Sequence, residues 1–106
     1  KQDAIGNVIG RRKGTGSGPT LVMGAHIATV FPAGTDCKVH RDGDVYAAPG
    51  ISDDAAGLAS MLQVIRCLNE NNIETVGDIV FVGTLGEEGN GAAAKRSSKK
   101  RTTMTA

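Results

Sequence analysis

The sequence has very few aromatic residues, with no tryptophan, one tyrosine and two phenylalanines among 106 residues. Val, Ile, Leu, Met and Ala must therefore fill any hydrophobic core, which can only be modest at this length. No apolar run approaches the roughly 20 residues needed to cross a bilayer. The first residues, Lys1-Gln2-Asp3, lack the apolar segment of a signal peptide. These absences predict one small soluble domain with no membrane partner.

Cysteine is also scarce. Cys37 lies in a predicted loop and Cys67 in a predicted helix, and the chain has no third cysteine. Two cysteines so placed form neither a zinc-type pair nor a redox motif. We therefore expect Cys67 to fill the core and the protein to be cytoplasmic, because free thiols are usual in that compartment.

Charge divides the chain into two parts. Five of the 12 Lys and Arg residues lie between residues 95 and 101, so residues 1–94 hold 7 basic residues against 11 acidic ones and have a net charge of −4. Residues 92–106 have almost no large apolar side chain, which predicts a domain over residues 1–91 and a basic, disordered tail over residues 92–106. The abrupt change is what a shifted reading frame, a fused tail or a degenerate gene end would produce. The tail could contact nucleic acid, but it has no aromatic residue and no folded recognition element, so we do not expect a nucleic-acid partner.

The first half of the domain has the patterns of short strands. We expect strands at residues 5–12 and 21–26, separated by the Gly-rich residues 14–19. The Gly-rich segment lacks the Gly-Lys-Ser/Thr ending of a phosphate-binding loop and precedes a strand, so we interpret it as a turn joining two antiparallel strands. Residues 39–46 predict a hairpin around Asp42-Gly43, a favoured type I′ pair, with His40 exposed.

A helix and a further strand are predicted in the second half. From Asp53 to Asn71, apolar residues recur at helical spacing and form one face; they are Leu58, Met61, Leu62, Ile65 and Leu68. Residues 78–84 then form a strand that can run parallel to residues 21–26, which gives a right-handed β-α-β unit. The predicted fold class is α/β with a partial mixed sheet.

The pair Glu87-Glu88 directly follows the apolar run of the last predicted strand. Two adjacent carboxylates there repel each other unless something cationic offsets the repulsion. Side chains alternate along an extended chain, so one carboxylate could bind a metal while its neighbour handles a proton. The alternative is a solvated acidic turn, because a short motif alone is weak evidence.

Two other segments end in candidate ligands. His26 closes the strand at residues 21–26, and strand ends are a usual place for ligands in α/β sheets. Asp53 and Asp54 follow a Pro-Gly turn at the predicted start of the helix. Capping could account for one of the two aspartates, and a lone histidine is often a packed or surface imidazole. All three segments meet at one edge of the predicted sheet, where imidazole and carboxylate groups suit zinc.

Three ordered blocks of the sequence resemble a known family. They are residues 24–32 (GAHIATVFP), residues 46–54 (YAAPGISDD) and residues 82–89 (VGTLGEEG). Over residues 18–91 the chain is similar to the zinc-dependent aminoacylase, acetylornithine deacetylase and glutamate carboxypeptidase family of dinuclear metallopeptidases, especially its dipeptidase and tripeptidase-like members. The resemblance implies a zinc-peptidase-like catalytic domain.

The resemblance also implies roles for four residues. His26 would be a ligand of one metal, Asp53 would bridge two metals, and Glu88 would be a ligand of the second. Glu87 would be the general base that takes a proton from water and passes it to the leaving amine. The cofactor would be one or two zinc ions, with cobalt or manganese as substitutes, and the reaction would be hydrolysis of an amide in a peptide or N-acyl amino acid.

The sequence departs from the family pattern at several points. Ala28 stands where the family usually has an Asp beside the metal shell, and loss of such a group typically costs about 10- to 100-fold in metal affinity or activity. Ala55 stands where a polar residue is frequent. The resemblance implies a much longer protein with a further acidic ligand and a distant histidine ligand, a role that His40 cannot fill. We therefore expect an N-terminal portion of a catalytic domain, with a site that is incomplete in this chain.

Three hypotheses follow. The first is a metal-dependent amide hydrolase, and the second is a catalytically inactive descendant that acts as a binding or interaction module. The third, which rests only on residues 95–101, is a basic-tailed protein that associates with nucleic acid. Apolar faces and strand edges would stay open on a partial sheet, so we also expect self-association or a partner chain.

Overall fold

The computed structural model describes residues 1–88. It contains five strands and one long helix, which are β1 (Val8–Arg12), β2 (Leu21–His26), β3 (His40–Asp42), β4 (Val45–Ala47), α1 (Ala56–Glu70) and β5 (Ile79–Thr84). A wide helical turn, Ile51–Ala55, leads into α1. The predicted tail, residues 92–106, lies outside the described residues. No helix among the described residues has the length and apolar character to cross a membrane.

β5 is the central strand of a three-stranded mixed sheet in the order β1-β5-β2. Every residue of β5 is buried, which fits its continuous apolar run. β1 pairs with it antiparallel, and β2 pairs with it parallel, with His26 opposite Thr84 at the carboxyl ends. The predicted α/β class and mixed sheet are confirmed, and so is the parallel pairing of residues 21–26 with the last strand.

The helix covers one face of this sheet. Buried residues Ala25, Met61, Ile79 and Phe81 form the core, and Met23, Leu58, Ile65 and Leu68 pack against it. Leu62 lines a groove together with Leu58, Met61 and Ile65, which fits the predicted helix face, although its side chain is 63% exposed. The expectation that Cys67 fills the core was wrong, because Cys67 is exposed.

The Gly-rich segment does not form a hairpin. It connects β1 to β2, but β5 lies between these strands. The segment instead runs along the loop before β5, with Thr15 N–H donating to Thr75 O and Gly16 N–H to Val76 O. A Cβ at Gly14 would overlap the backbone of Val76 and Gly77, so glycine is needed here for close backbone approach.

The predicted hairpin is present but shifted by one residue. Asp42 pairs with Val45, so the two loop residues are Gly43 and Asp44 rather than Asp42 and Gly43. Gly43 has a φ of 59°. Asp44 is not among the described residues with positive φ, which fits a turn with glycine at its first central position and not type I′. His40 is exposed as predicted.

Candidate metal centre

The candidate site lies where β2 and β5 end side by side. His26 is the last residue of β2, and its register partner Thr84 is the last residue of β5. The bond from Ile27 N–H to Thr84 O continues the ladder one step further. His26 is only 9% exposed, so this edge of the sheet fixes one imidazole in a nearly buried position.

Both ring nitrogens of His26 have a neighbour. Nδ1 lies 2.8 Å from the carbonyl oxygen of Ala28. A carbonyl oxygen can only accept, so Nδ1 carries the proton and donates to it. This leaves Nε2 as the nitrogen that can bind a metal, because a metal-binding histidine usually donates its other N–H to a carbonyl or carboxylate. The main chain of Ala28 thus orients the ring.

Asp54 holds the main chain of His26 to the start of the helix. Its Oδ2 accepts from His26 N–H at 3.1 Å, and its Oδ1 accepts from Gly57 N–H in the first turn of α1 at 3.1 Å. A Cβ at Gly57 would overlap the Asp54 carboxylate, so the glycine makes room for this bridge. Asp54 therefore bonds an N–H of the first turn, but the N-cap residue of α1 is Ala55, which makes no side-chain cap bond, so neither aspartate occupies the capping position that the sequence suggested.

Asp53 faces the ring of the same histidine. Its Oδ1 lies 2.8 Å from His26 Nε2, and its side chain is 70% exposed. The backbone angles of Asp53 and Asp54 are non-helical, and the peptide bond between them is cis. The helix was expected to begin at Asp53 but begins three residues later. The intervening turn directs the two neighbouring carboxylates to different parts of His26.

Glu87 and Glu88 approach the same nitrogen. Their carboxylate oxygens lie 3.8 Å and 3.7 Å from His26 Nε2. The expectation that adjacent glutamates point to opposite sides of an extended chain was wrong, because β5 ends at Thr84 and the chain then turns at Gly86, whose φ is 75°. His26, Glu87 and Glu88 each offer a ligand atom within 4.8 Å of the other two.

The charges of this cluster shift two pKa values. The hydrogen bond to the Ala28 carbonyl raises the pKa of His26, and burial opposes that shift, while Asp53 and Glu87 add to it. Partial burial raises the pKa of Glu88, and the carboxylates of Asp53 and Glu87 raise it further, although His26 acts in the opposite direction. The site thus concentrates negative charge around one imidazole.

The donor atoms fit a zinc ion. Zinc bonds to histidine nitrogen and carboxylate oxygen are about 2.0–2.2 Å long, so two ligands of one ion lie at most about 4.2 Å apart. Each of the three carboxylates is within that distance of His26 Nε2. Three acidic groups around the imidazole also supply the charge that a divalent cation would offset. The residues present therefore suit the metal that the sequence motifs imply.

A cavity of about 340 Å³ opens beside the cluster. It is lined by residues from the ends of β2 and β5, the turn before α1 and the glutamate pair: Gly24, Ala25, His26, Asp54, Thr84 and Glu87. Of the two glutamates, only Glu87 lines it. His40 takes no part in the site, because it lies in the separate two-stranded sheet of β3 and β4.

Two functional contacts could not be seen in the sequence. The Ala28 carbonyl is a main-chain group, so residue identity gives no signal for it. The bridge from Asp54 to His26 N–H joins residues 28 positions apart, and its only sequence signal is the doubled aspartate followed by Gly57.

The sequence matches the model of peptidase family M28 over residues 7–105. The chain is 37% identical over 103 residues to protein YqjE of Bacillus subtilis (strain 168). The aligned region covers 94% of this chain and 28% of that protein.

Two solved structures share the fold. One is a tripeptidase from Staphylococcus aureus subsp. aureus Mu50, with a TM-score of 0.70 and 33% identity, covering 83% of this chain and 26% of that one. The other is aminopeptidase PepT from Bacillus cereus ATCC 10987, with a TM-score of 0.71 and 38% identity. The match covers 85% of this chain and 25% of that one. The chain therefore spans roughly a quarter of the length of the proteins it resembles.

Proposed function

The chain belongs to peptidase family M28, and we propose that it supplies the metal-binding edge of a zinc-dependent hydrolase that cleaves amide bonds in peptides or N-acyl amino acids. The observation that carries this proposal is the convergence of three carboxylates on Nε2 of one nearly buried histidine. Asp53, Glu87 and Glu88 come from two separate segments of the chain, and all lie within 4 Å of that atom.

We assign the metal-binding role to His26, Asp53 and Glu88. His26 is fixed through both its ring and its main chain, so its Nε2 is held in place before a metal binds. Asp53 is proposed to bridge two ions, as the sequence motif implies, and it is the most exposed of the three carboxylates. Bound zinc, or cobalt or manganese in its place, would act as a Lewis acid and lower the pKa of water at the site.

Glu87 is the proposed general base. It is the glutamate that lines the cavity, where a substrate carbonyl and an attacking water would be placed. A general base must lie within hydrogen-bond reach of the proton it removes. From this position Glu87 would take the proton of the attacking water and deliver it to the leaving amine as the amide bond breaks.

Substitution of the proposed base tests this function. We expect Glu87→Gln to retain bound zinc while lowering dipeptide hydrolysis by at least about 100-fold, because only the proton acceptor is lost. Arg41→Gln, in the β3–β4 hairpin, is the control and should leave both unchanged. Hydrolysis that persists at the native rate in Glu87→Gln would refute the assigned mechanism.

The second candidate is an inactive family member that binds ligands without turning them over. Ala28 and Ala55 favour it, because the family usually has polar groups at these positions. Metal-dependent turnover by the pure chain would exclude it. Retained zinc with no hydrolysis of dipeptides or N-acyl amino acids would favour it over the hydrolase.

Two finer proposals concern the molecule's surroundings. We propose a cytoplasmic location, supported by two exposed cysteines that are both free, and cell fractionation tests it. We also propose self-association or a partner chain. Several large apolar residues, each more than 60% exposed, support this second proposal: Val30, Val45, Leu62 and Val76.

A further inference from the structure

The turn before β1 is hydrogen-bonded to the residue that follows β5. Asn7 has no exposed surface, and its Oδ1 accepts from Leu85 N–H at 2.9 Å. Leu85 is the first residue after β5 and lies two positions before Glu87. A fully buried side-chain amide joined to a main-chain N–H 78 positions away is a fixed connection, because breaking it would leave buried polar groups unpaired.

Asp3 fixes the orientation of the Asn7 amide. Asp3 Oδ2 accepts from Asn7 Nδ2 at 3.0 Å, and a carboxylate can only accept, so the amide nitrogen must face Asp3. The amide oxygen is thereby directed to Leu85 N–H. Asp3 Oδ1 in turn accepts from the N–H groups of Ile5, Gly6 and Asn7, each at 3.0 Å. The main chain of the turn therefore fixes the Asp3 carboxylate, and that carboxylate fixes the Asn7 amide.

Gly6 adds a packing contact to the same connection. A Cβ at Gly6 would lie 2.6 Å from Leu85 Cδ1, and Gly6 has a φ of 110°. Only glycine adopts such a φ readily, so the turn can press directly against the Leu85 side chain. Leu85 is thus held through both its main chain and its side chain.

This connection lies at the start of the segment that carries the glutamate pair. On one side, Thr84 is tied to β2 through its bond with Ile27. On the other side, Leu85 is tied to the turn of residues 3–7. We propose that Asn7, oriented by Asp3, is a positioning residue that sets where Glu87 and Glu88 stand relative to His26. The inference rests on the proposed metal site, but its first test does not need a metal.

A reciprocal exchange of the two side chains tests the proposal in the full chain. Asp3→Asn removes one of the two acceptor oxygens. If the remaining oxygen keeps the three main-chain N–H groups, two amide nitrogens come face to face unless the Asn7 amide flips and gives up Leu85, and if it turns to Asn7, the three N–H groups lose their acceptor. Asn7→Asp places two carboxylates at hydrogen-bond distance. The double variant restores complementarity, because the amide introduced at position 3 can donate to the carboxylate introduced at position 7, which still accepts from Leu85. Gln2→Ala is the matched control, since the Gln2 side chain lies in the same turn and donates to Gly6 O.

The first measurement is amide hydrogen exchange and ¹⁵N chemical shift in the metal-free protein. We expect both single variants to speed exchange of the Leu85 amide by roughly three- to tenfold and to shift the Glu87 and Glu88 amide signals. The double variant and Gln2→Ala should match the native chain. Native exchange and native shifts in both single variants would overturn the proposal, and so would single-variant changes that the double variant does not reverse.

Cobalt(II) titration, followed by visible absorption, is the second measurement. If the native chain binds cobalt, the single variants should bind it about three- to tenfold more weakly, with recovery in the double variant. Equal cobalt affinity in all chains would overturn the positioning role. If the native chain binds no cobalt, the proposed metal site fails, while the exchange data alone decide whether Asn7 positions the glutamates. If one single variant fails to fold, the other single variant is compared with the double variant instead.

Discussion

The two nitrogens of His26 are controlled by different parts of the chain. Nδ1–H donates to the Ala28 carbonyl, and the carboxylates of Asp53, Glu87 and Glu88 lie near Nε2. A carbonyl carries no full charge, so it orients the ring but raises its basicity less than a carboxylate would. The main chain at position 28 therefore orients the ring without adding a charge.

Gly57 provides a residue-scale prediction. Gly57→Ala should raise helix propensity by about 1 kcal/mol, but its Cβ would displace the Asp54 carboxylate that holds His26 N–H. We expect these effects to nearly cancel in the free energy of unfolding, measured in urea. Zinc affinity should nevertheless fall by about tenfold, because His26, the proposed ligand, loses a positioning contact.

The control for this prediction is Ser60→Ala, which adds no group near Asp54 and lies exposed on the same helix. It should leave zinc affinity unchanged. A Gly57→Ala variant that binds zinc as tightly as the native chain would show that the Asp54 bridge does not matter for the metal.

At the scale of elements, β5 determines both the core and the site. It is the buried centre of the sheet, and the chain that leaves it carries both glutamates. Phe81, in the middle of β5, is buried against Met61 of α1. Any loosening of β5 should therefore affect stability and metal binding together.

We predict that Phe81→Ala lowers the free energy of unfolding by about 3–5 kcal/mol, because it removes a buried aromatic ring and leaves a cavity. Urea denaturation measures this loss. Phe31→Ala, at a phenylalanine that is 46% exposed, should cost far less. Similar losses for the two variants would contradict the assignment of β5 as the core strand.

The elements that the sequence predicted well are those set by local pattern. β2, α1 and β5 follow from apolar runs and helical spacing, and their order implied a shared edge for His26, Asp53 and Glu88. Strand partners are not encoded in periodicity, so the insertion of β5 between β1 and β2 could not be foreseen. The turn after β5 was also missed, because it depends on the positive φ of Gly86, and that turn brings both glutamates to one nitrogen.

At the scale of the whole molecule, an apolar groove of about 340 Å³ remains open between α1 and the sheet. It is lined almost entirely by apolar groups: Val8, Gly10, Ile27, Leu58, Met61, Leu62, Ile65, Phe81 and Gly83. An open apolar surface favours association, since burying it removes that surface from water.

Sedimentation velocity over a wide concentration range tests this expectation. The native chain should self-associate, and Leu62→Glu should shift it toward monomer by placing a charge in the groove. Gln63→Glu, the neighbouring exposed position outside the groove, has the same added charge and should behave like the native chain. A native chain that stays monomeric at all concentrations would contradict the prediction.

Zinc bound per chain is the most direct test of the central claim. After zinc loading and exhaustive dialysis, elemental analysis should find retained zinc in the native chain and in His40→Ala, whose histidine lies outside the site. His26→Ala and Asp53→Ala should each lose it, because both remove a proposed ligand. A native chain that retains no zinc, or retention that survives both substitutions, would contradict a metal centre at the joined ends of β2 and β5.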